Sequence, residues 1–266
     1  MKPKILLLDE PHPKARAIME EVAEVTKGNG WTNTYEGIYT GLTCVDTKDY
    51  PCLKFIGCPC TGIDHITNRS NVPIIHLDEH WKANEGREIT STAEHTWSLI
   101  LQLAKMNRMQ LKGKTLHIIG YGRVGQQVAK YAEAFNMTVA FRDKGIDNKW
   151  LSISDIITLH VPLDDSTRGM IGEKEFAMME LGALLVNTSR AEIVDHDALL
   201  TALCQNKISY ASDFYDSRYE GLGNVIQTPH IGGNCLEARK ATDVYIANKI
   251  VEFINQPKFT FEYDGL

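Results

Sequence analysis

Two α/β lobes, each built on a parallel sheet, are what the sequence predicts. Strand-like apolar runs alternate with helix-like runs along the whole chain, with no internal repeat or low-complexity tract. A glycine-rich turn at 120–125 leaves the apolar run TLHII and opens a second series of such units. Two long helical patterns, at 91–105 and 235–255, read as crossings between the lobes. With 266 residues, 43% of them hydrophobic, the chain can bury a substantial core.

Residues 4–8 (KILLL) have the length and composition of a strand, and 12–22 (HPKARAIMEEV) of a helix. Further strands are expected at 37–41, whose glycines belong to turns, at 53–57 and at 72–77. The 91–105 helix can be capped by Ser91 or Thr92, and Glu94 in its first turn suits the helix dipole. Ala93, Trp97, Ile100, Leu101 and Ala104 give it a buried face. After a polar bridge at 106–114 come strand 115–119, helix 123–135 and strands 138–142, 155–160, 182–187, 208–213 and 224–227. Helices are expected near 174–180 and 195–205. The last helix sets Val244, Ala247, Ile250, Val251 and Ile254 at helical spacing. Residues 1–90 with 234–266 thus form one domain and 91–233 the other. Segment 259–266 is expected to return to the first lobe.

The formal net charge is −6 and no Lys/Arg block stands out, so neither a nucleic-acid nor a membrane partner is expected. The opening apolar run ends at Asp9, too early for a signal h-region, and no later stretch has the length of a membrane span. A cytoplasmic protein is the expectation. Cys58-Pro59-Cys60 invites a metal or redox reading, but the paired spacings of a zinc site are missing. The six cysteines read as reduced, structural thiols, and no metal site is assigned.

Gly120-Tyr121-Gly122-Arg123-Val124-Gly125 fits G-x-G-x-x-G in its informative context, between an apolar strand and an amphipathic helix. Gly120 permits the tight turn, Gly122 lets the backbone approach a pyrophosphate, and Gly125 lets the helix pack on the strand. The helix N-terminus offers free N–H groups to the phosphates. Asp143, 18 residues after Gly125, is placed to hold the adenosine ribose. Its carboxylate repels a 2′-phosphate and favours NAD over NADP, although Arg142 and Lys144 flank it. This is the signature of a Rossmann domain.

Further motifs appear in a fixed order: Leu53–Ile56 with Gly62-Ile63-Asp64, Thr92–His95, the glycine-rich turn, Leu159–Leu163, Asn187–Arg190, Val194-Asp195 and Thr228–Gly233. In this the chain resembles the D-isomer-specific 2-hydroxyacid dehydrogenases, most of all their phosphoglycerate dehydrogenase branch. The resemblance covers nearly the whole chain. It implies an NAD-binding Rossmann domain inserted into a flavodoxin-like substrate domain. It also implies a homodimer acting on a small 2-hydroxy or 2-keto acid. His230 would be the acid/base, because imidazole titrates near neutrality. Arg190 would grip the carboxylate and polarise the carbonyl. Backbone N–H groups around Thr61 and Gly62 would also hold the carboxylate. Asp213 would sit near the nicotinamide carboxamide, with Arg123, Val124, His160, Val161, Pro162, Thr188 and Gly232 completing the cofactor site. As side chains, His95, His160 and Glu94 read as structural rather than catalytic.

The pattern breaks in three places. Relatives carry a Glu five residues after the acid matching Asp213, which orients the histidine; this chain has Arg218. Glu220 or Asp216 could substitute, Glu220 being preferred. The expected enzyme is slow, with carbonyl reduction improving below neutral pH. The connections at 105–114 and 143–154 are also short, which bears on dimer contacts. An NAD(H)-sensing or partner-binding protein on the same scaffold is the rival reading.

Overall fold

The computed structural model describes residues 2–28, 34–143 and 145–256, so the segment 259–266 lies outside the described residues. The chain divides into two units, residues 1–86 with 236–266, and residues 87–235.

The first unit runs β1 (Lys4–Leu7), α1 (Pro13–Val22), β2 (Glu24–Lys27), β3 (Gly37–Tyr39), β4 (Val45–Asp46), β5 (Phe55–Cys58), β6 (Ile66–Thr67), β7 (Ile74–His76) and α2 (Glu79–Ala83). Its parallel sheet has the order β2-β1-β3-β5-β7, and β4 pairs with β6 apart from it. Leaving that small pair aside, this is the flavodoxin-like order, with its switch point between β1 and β3. Ile5, Leu6, Leu7, Phe55 and Ile56 are fully buried, as strands covered on both faces require. The sequence reading missed β2, β4 and β6. The first is a polar, mostly exposed edge strand and the others span two residues each, so none carries an apolar period.

The second unit runs α3 (Ser91–Met106), β8 (Thr115–Ile119), α4 (Arg123–Ala134), β9 (Thr138–Arg142), α5 (Asn148–Leu151), β10 (Ile156–Leu159), α6 (Glu173–Met178), β11 (Ala183–Asn187), α7 (His196–Cys204), β12 (Ile208–Ser212) and β13 (Val225–Gln227). The last helix, α8 (Leu236–Ile254), belongs to the first unit. There it packs so closely on β5 that a Cβ on Gly57 would lie 2.5 Å from Ile250 Cδ1.

Six parallel strands in the order β13-β12-β11-β10-β8-β9 form the second sheet. Side chains alternate across it. Leu116, Ile118, Leu184 and Val186 pack with α3 and α4, whereas Ile119, Ile157, Leu159 and Leu185 pack with Phe176, Leu199 and Leu203. A Rossmann sheet ordinarily has a further strand outside β9. Among the described residues the short connection from Arg142 to Ile156 holds only α5 and crosses β8 directly, so β9 is the edge. Two local expectations are corrected. Thr90, not Ser91 or Thr92, precedes the first turn of α3, its hydroxyl on Glu94 rather than on a backbone N–H. Leu101 is 45% exposed, because the buried stripe of α3 passes through Leu99, Ile100 and Leu103 instead.

His117 on β8 is fully buried and neither ring nitrogen is hydrogen-bonded. Burial pushes its pKa down to about 4. The unfolded chain protonates the same ring near 6.5, so it binds the extra proton between these values and stability falls as pH drops through them. His117→Leu should remove this share of the slope, roughly 3 kcal/mol at most. Urea melts of both proteins from neutral to mildly acidic pH measure it; parallel curves would refute the assignment.

Candidate active site

The chain leaves β8 at Gly120, whose φ of +96° favours glycine and where a Cβ would lie 2.6 Å from the His160 carbonyl carbon. Gly120 N–H donates to the Arg142 carbonyl at 2.8 Å, which ties the turn to the end of β9. A Cβ on Gly125 would sit 2.2 Å from the Gly120 oxygen, whereas nothing lies within 4 Å of one on Gly122. The outer glycines are therefore needed for packing, and the middle one leaves backbone open to a ligand. The first N–H groups of α4, among them those of Arg123, Val124 and Gly125, have no partner inside the helix. The Arg123 guanidinium donates to the Ile89 carbonyl at 2.5 Å, and burial lowers its pKa. Asp143 is exposed one residue beyond β9. Beside it Tyr121 stacks on Phe141, centroids 3.7 Å apart, a pair the sequence reading did not single out.

At the end of β10 the His160 Nε2 is buried and unpartnered, and burial takes the ring pKa down to about 3. Its ring is thus neutral interior, and its backbone is the part packed on Gly120. Val161 is buried and Pro162 exposed. The Val161 carbonyl accepts from Ser189 and the Pro162 carbonyl from Thr167. Thr188 shares a hydroxyl hydrogen bond of 2.8 Å with Thr96 on α3.

Three neighbouring strands carry the remaining candidates at their carboxyl ends. Asn187, the last residue of β11, is fully buried; its amide donates to the Arg190 carbonyl and its oxygen accepts from Ser189 N–H. This folds the Arg190 loop back on the strand. After β12, Asp213 is 2% exposed and N–H of Ile231, N–H of Gly232 and the Thr228 hydroxyl donate to it at 2.7–2.8 Å. His95 Nε2 stands 3.3 Å from the same carboxylate and 2.9 Å from Thr228 Oγ1. Burial alone would raise the Asp213 pKa; these donors outweigh it and hold the group below the usual range. Beyond β13, His230 has left-handed backbone (φ +56°) and presents its ring edge-on to Phe214 at 5.5 Å.

Glu220 is exposed and its carboxylate accepts from the Tyr215 hydroxyl, five residues back. Its alternative, Asp216, is bound by Arg218 Nε at 3.0 Å and Nη2 at 2.5 Å, and lies 3.6 Å from His196. Arg218 thereby spends its charge on Asp216, and the ring whose pKa it depresses, after burial, is His196. In the first unit, Thr61 and Gly62 follow the carboxyl end of β5. Among the described residues no helix is long and apolar enough to cross a membrane, and no group of three side chains could hold a metal ion.

Residues 81–232 match the D-isomer specific 2-hydroxyacid dehydrogenase, NAD binding domain. The chain belongs to this family. It is 32% identical, over a 305-position alignment, to a D-3-phosphoglycerate dehydrogenase of Methanocaldococcus jannaschii, covering 93% of this chain and 56% of the relative. A glyoxylate reductase of Thermococcus litoralis is 37% identical over 164 positions, 54% of this chain and 50% of the relative. The chain spans about half the length of these curated relatives. The fold is shared with the 3-phosphoglycerate dehydrogenase of Entamoeba histolytica, at a TM-score of 0.82, 21% identity and full coverage of both chains. The open backbone at Gly122, the α4 N-terminus and exposed Asp143 fit the NAD that the family's domain binds.

Asp213→Ala should leave the Ile231 and Gly232 N–H groups without their acceptor, costing roughly 2–4 kcal/mol. The native contribution is complete above the unfolded carboxylate pKa and is lost as pH falls through the depressed folded value. Amide exchange at Ile231 and Gly232 should quicken in the variant; unchanged exchange would show the carboxylate is not what holds the loop.

Proposed function

We propose that the chain is an NAD-dependent oxidoreductase interconverting a small D-2-hydroxy acid and its 2-keto acid. The observation that carries this is His230. A non-glycine residue in left-handed backbone costs about 1 kcal/mol. Here it stands beside a loop pinned by a buried carboxylate, on a strand end two strands from Arg190. Asn71, Arg108, Asn136 and Asn206 share the left-handed backbone, and it is the place of His230 beside the Asp213-held loop that supports a preorganised imidazole.

In this reading Arg190 grips the substrate carboxylate and polarises the adjoining carbonyl. His230 takes the hydroxyl proton in oxidation and returns it in reduction. Thr61 and Gly62 are assigned carboxylate binding from the family's pattern. Bound NAD supplies the hydride acceptor, and Asp143 favours it over NADP by repelling a 2′-phosphate. We further propose a homodimer working in the cytoplasm, where the six unbridged thiols would stay reduced. The rival reading, a sensor of NAD(H), draws support from Arg218 at the family's Glu position and from the diversion of Glu220 to Tyr215.

NADH oxidation against glyoxylate, hydroxypyruvate, pyruvate and phosphohydroxypyruvate, at acidic, neutral and alkaline pH, separates the two. His230→Ala should lower kcat on the order of 10²–10⁴-fold while NADH affinity holds, and Arg190→Ala should mainly raise KM. NADH binding with no turnover on any member would favour the sensor. A monomeric mass by light scattering would refute the dimer.

A further inference from the structure

Cys58 closes β5, and Cys60 follows Pro59 directly before Thr61 and Gly62. The two sulfurs converge. Cys60 Sγ donates to the Gly41 carbonyl at 3.1 Å, Cys58 Sγ stands 3.9 Å from the same oxygen, and the two thiols hydrogen-bond to each other. His65 Nε2 lies 3.7 Å from Cys58 Sγ. Cys58 is buried and Cys60 partly exposed, so an oxidant meets Cys60 first.

We propose that Cys58 and Cys60 form an oxidisable dithiol, a modification site for small hydroperoxides, and that bridging it disables the Thr61–Gly62 loop. The Cys60 thiol gives up its proton and its sulfur attacks one peroxide oxygen; the O–O bond breaks, the leaving hydroxide takes up that proton as water, and Cys60 becomes a sulfenic acid. The Cys58 sulfur then attacks Cys60 Sγ, the S–S bond forms and the S–O bond breaks. The Cys58 proton, which His65 is placed to accept, leaves with that oxygen as water. In sum, two thiols lose two hydrogens and one hydrogen peroxide becomes two waters. The hydrogen bond to Cys60 and burial hold the Cys58 thiol protonated in the reduced protein, so its attack waits until its proton is handed to His65.

The bridge has a structural consequence because its surroundings cannot follow. Gly41, Leu42 and Thr43 all donate backbone N–H groups to Asp9 Oδ2, at 2.6–3.1 Å, so the carbonyl under both sulfurs is fixed. The Cys60 carbonyl in turn accepts from Leu77 N–H at 3.2 Å. A disulfide across one proline needs Cα atoms roughly 5.5–6 Å apart, against about 7 Å for a fully extended pair. Closing it draws Cys60 off Gly41 and shifts the chain entering Thr61. The effect on activity rests on the assignment of Thr61 and Gly62 as carboxylate binders; the dithiol itself does not.

Trypsin releases Phe55–Arg69, which holds both sulfurs and no other cysteine. After hydrogen peroxide treatment of the full chain, this peptide should be two hydrogens lighter and return to its reduced mass with dithiothreitol. C58S should instead trap one added oxygen on Cys60, and C60S should leave Cys58 unmodified. Oxidation confined to exposed Cys44, Cys52 or Cys204, with this peptide unchanged, would overturn the proposal. The bridged protein should lose on the order of tenfold or more in kcat/KM; bridging without loss would overturn the effect on the loop. Absence of turnover in the reduced protein would count against the proposed function alone, since the peptide mass decides the dithiol by itself.

Discussion

The Asp213 carboxylate joins the last strands of the second sheet to the loop that bears His230. It gives up almost all contact with water and takes donors from Thr228, Ile231 and Gly232, while His95 reaches it from α3. A charge buried this deeply is tolerable only when its oxygens are saturated. That requirement fixes the loop path. Gly232 has little room for any side chain, a Cβ there falling 2.9 Å from the Asp213 oxygen. His230 takes up left-handed backbone because the next two N–H groups must point at one carboxylate.

A second constraint is steric and lies at the other end of the site. The outer glycines of the turn touch His160 and each other closely enough to exclude any side chain, so β8, β10 and α4 are locked at one point. At Gly122, by contrast, nothing lies within 4 Å of an added Cβ, and the backbone stays open to a ligand. Shortening the connection after β9 does not disturb this arrangement, because the glycine turn is held by β8, β10 and the Arg142 carbonyl alone. What the shortening changes is the edge, where Phe141 is exposed and covered in part by Tyr121.

Much of this was legible in the residues. The inner strands β8, β10, β11 and β12 are buried on both faces, so their apolar runs mark them almost to the residue, and the glycine motif follows from sterics that any such turn must obey. Polar or two-residue strands such as β2, β4 and β6 have no such signal. Side-chain pairing within the irregular stretch after Asp213 was also beyond reach. Glu220 goes to Tyr215 and Arg218 to Asp216 because these are close along a tightly wound segment, a matter of geometry that residue types do not encode. Phe214, adjacent to Asp213, gave no sign that its ring would meet His230.

Those pairings alter how the imidazole is set. In the family's pattern a carboxylate orients the histidine; here the residue at that position is a cation already engaged by Asp216. Backbone and ring both contribute to the orientation visible in the structure: a left-handed Cα beside the Asp213-held N–H groups, and Phe214 packed edge to face at an interplanar angle of 84°. An aromatic wall restricts rotation about the imidazole. Backbone conformation and packing thus both contribute to the direction in which this chain holds the imidazole.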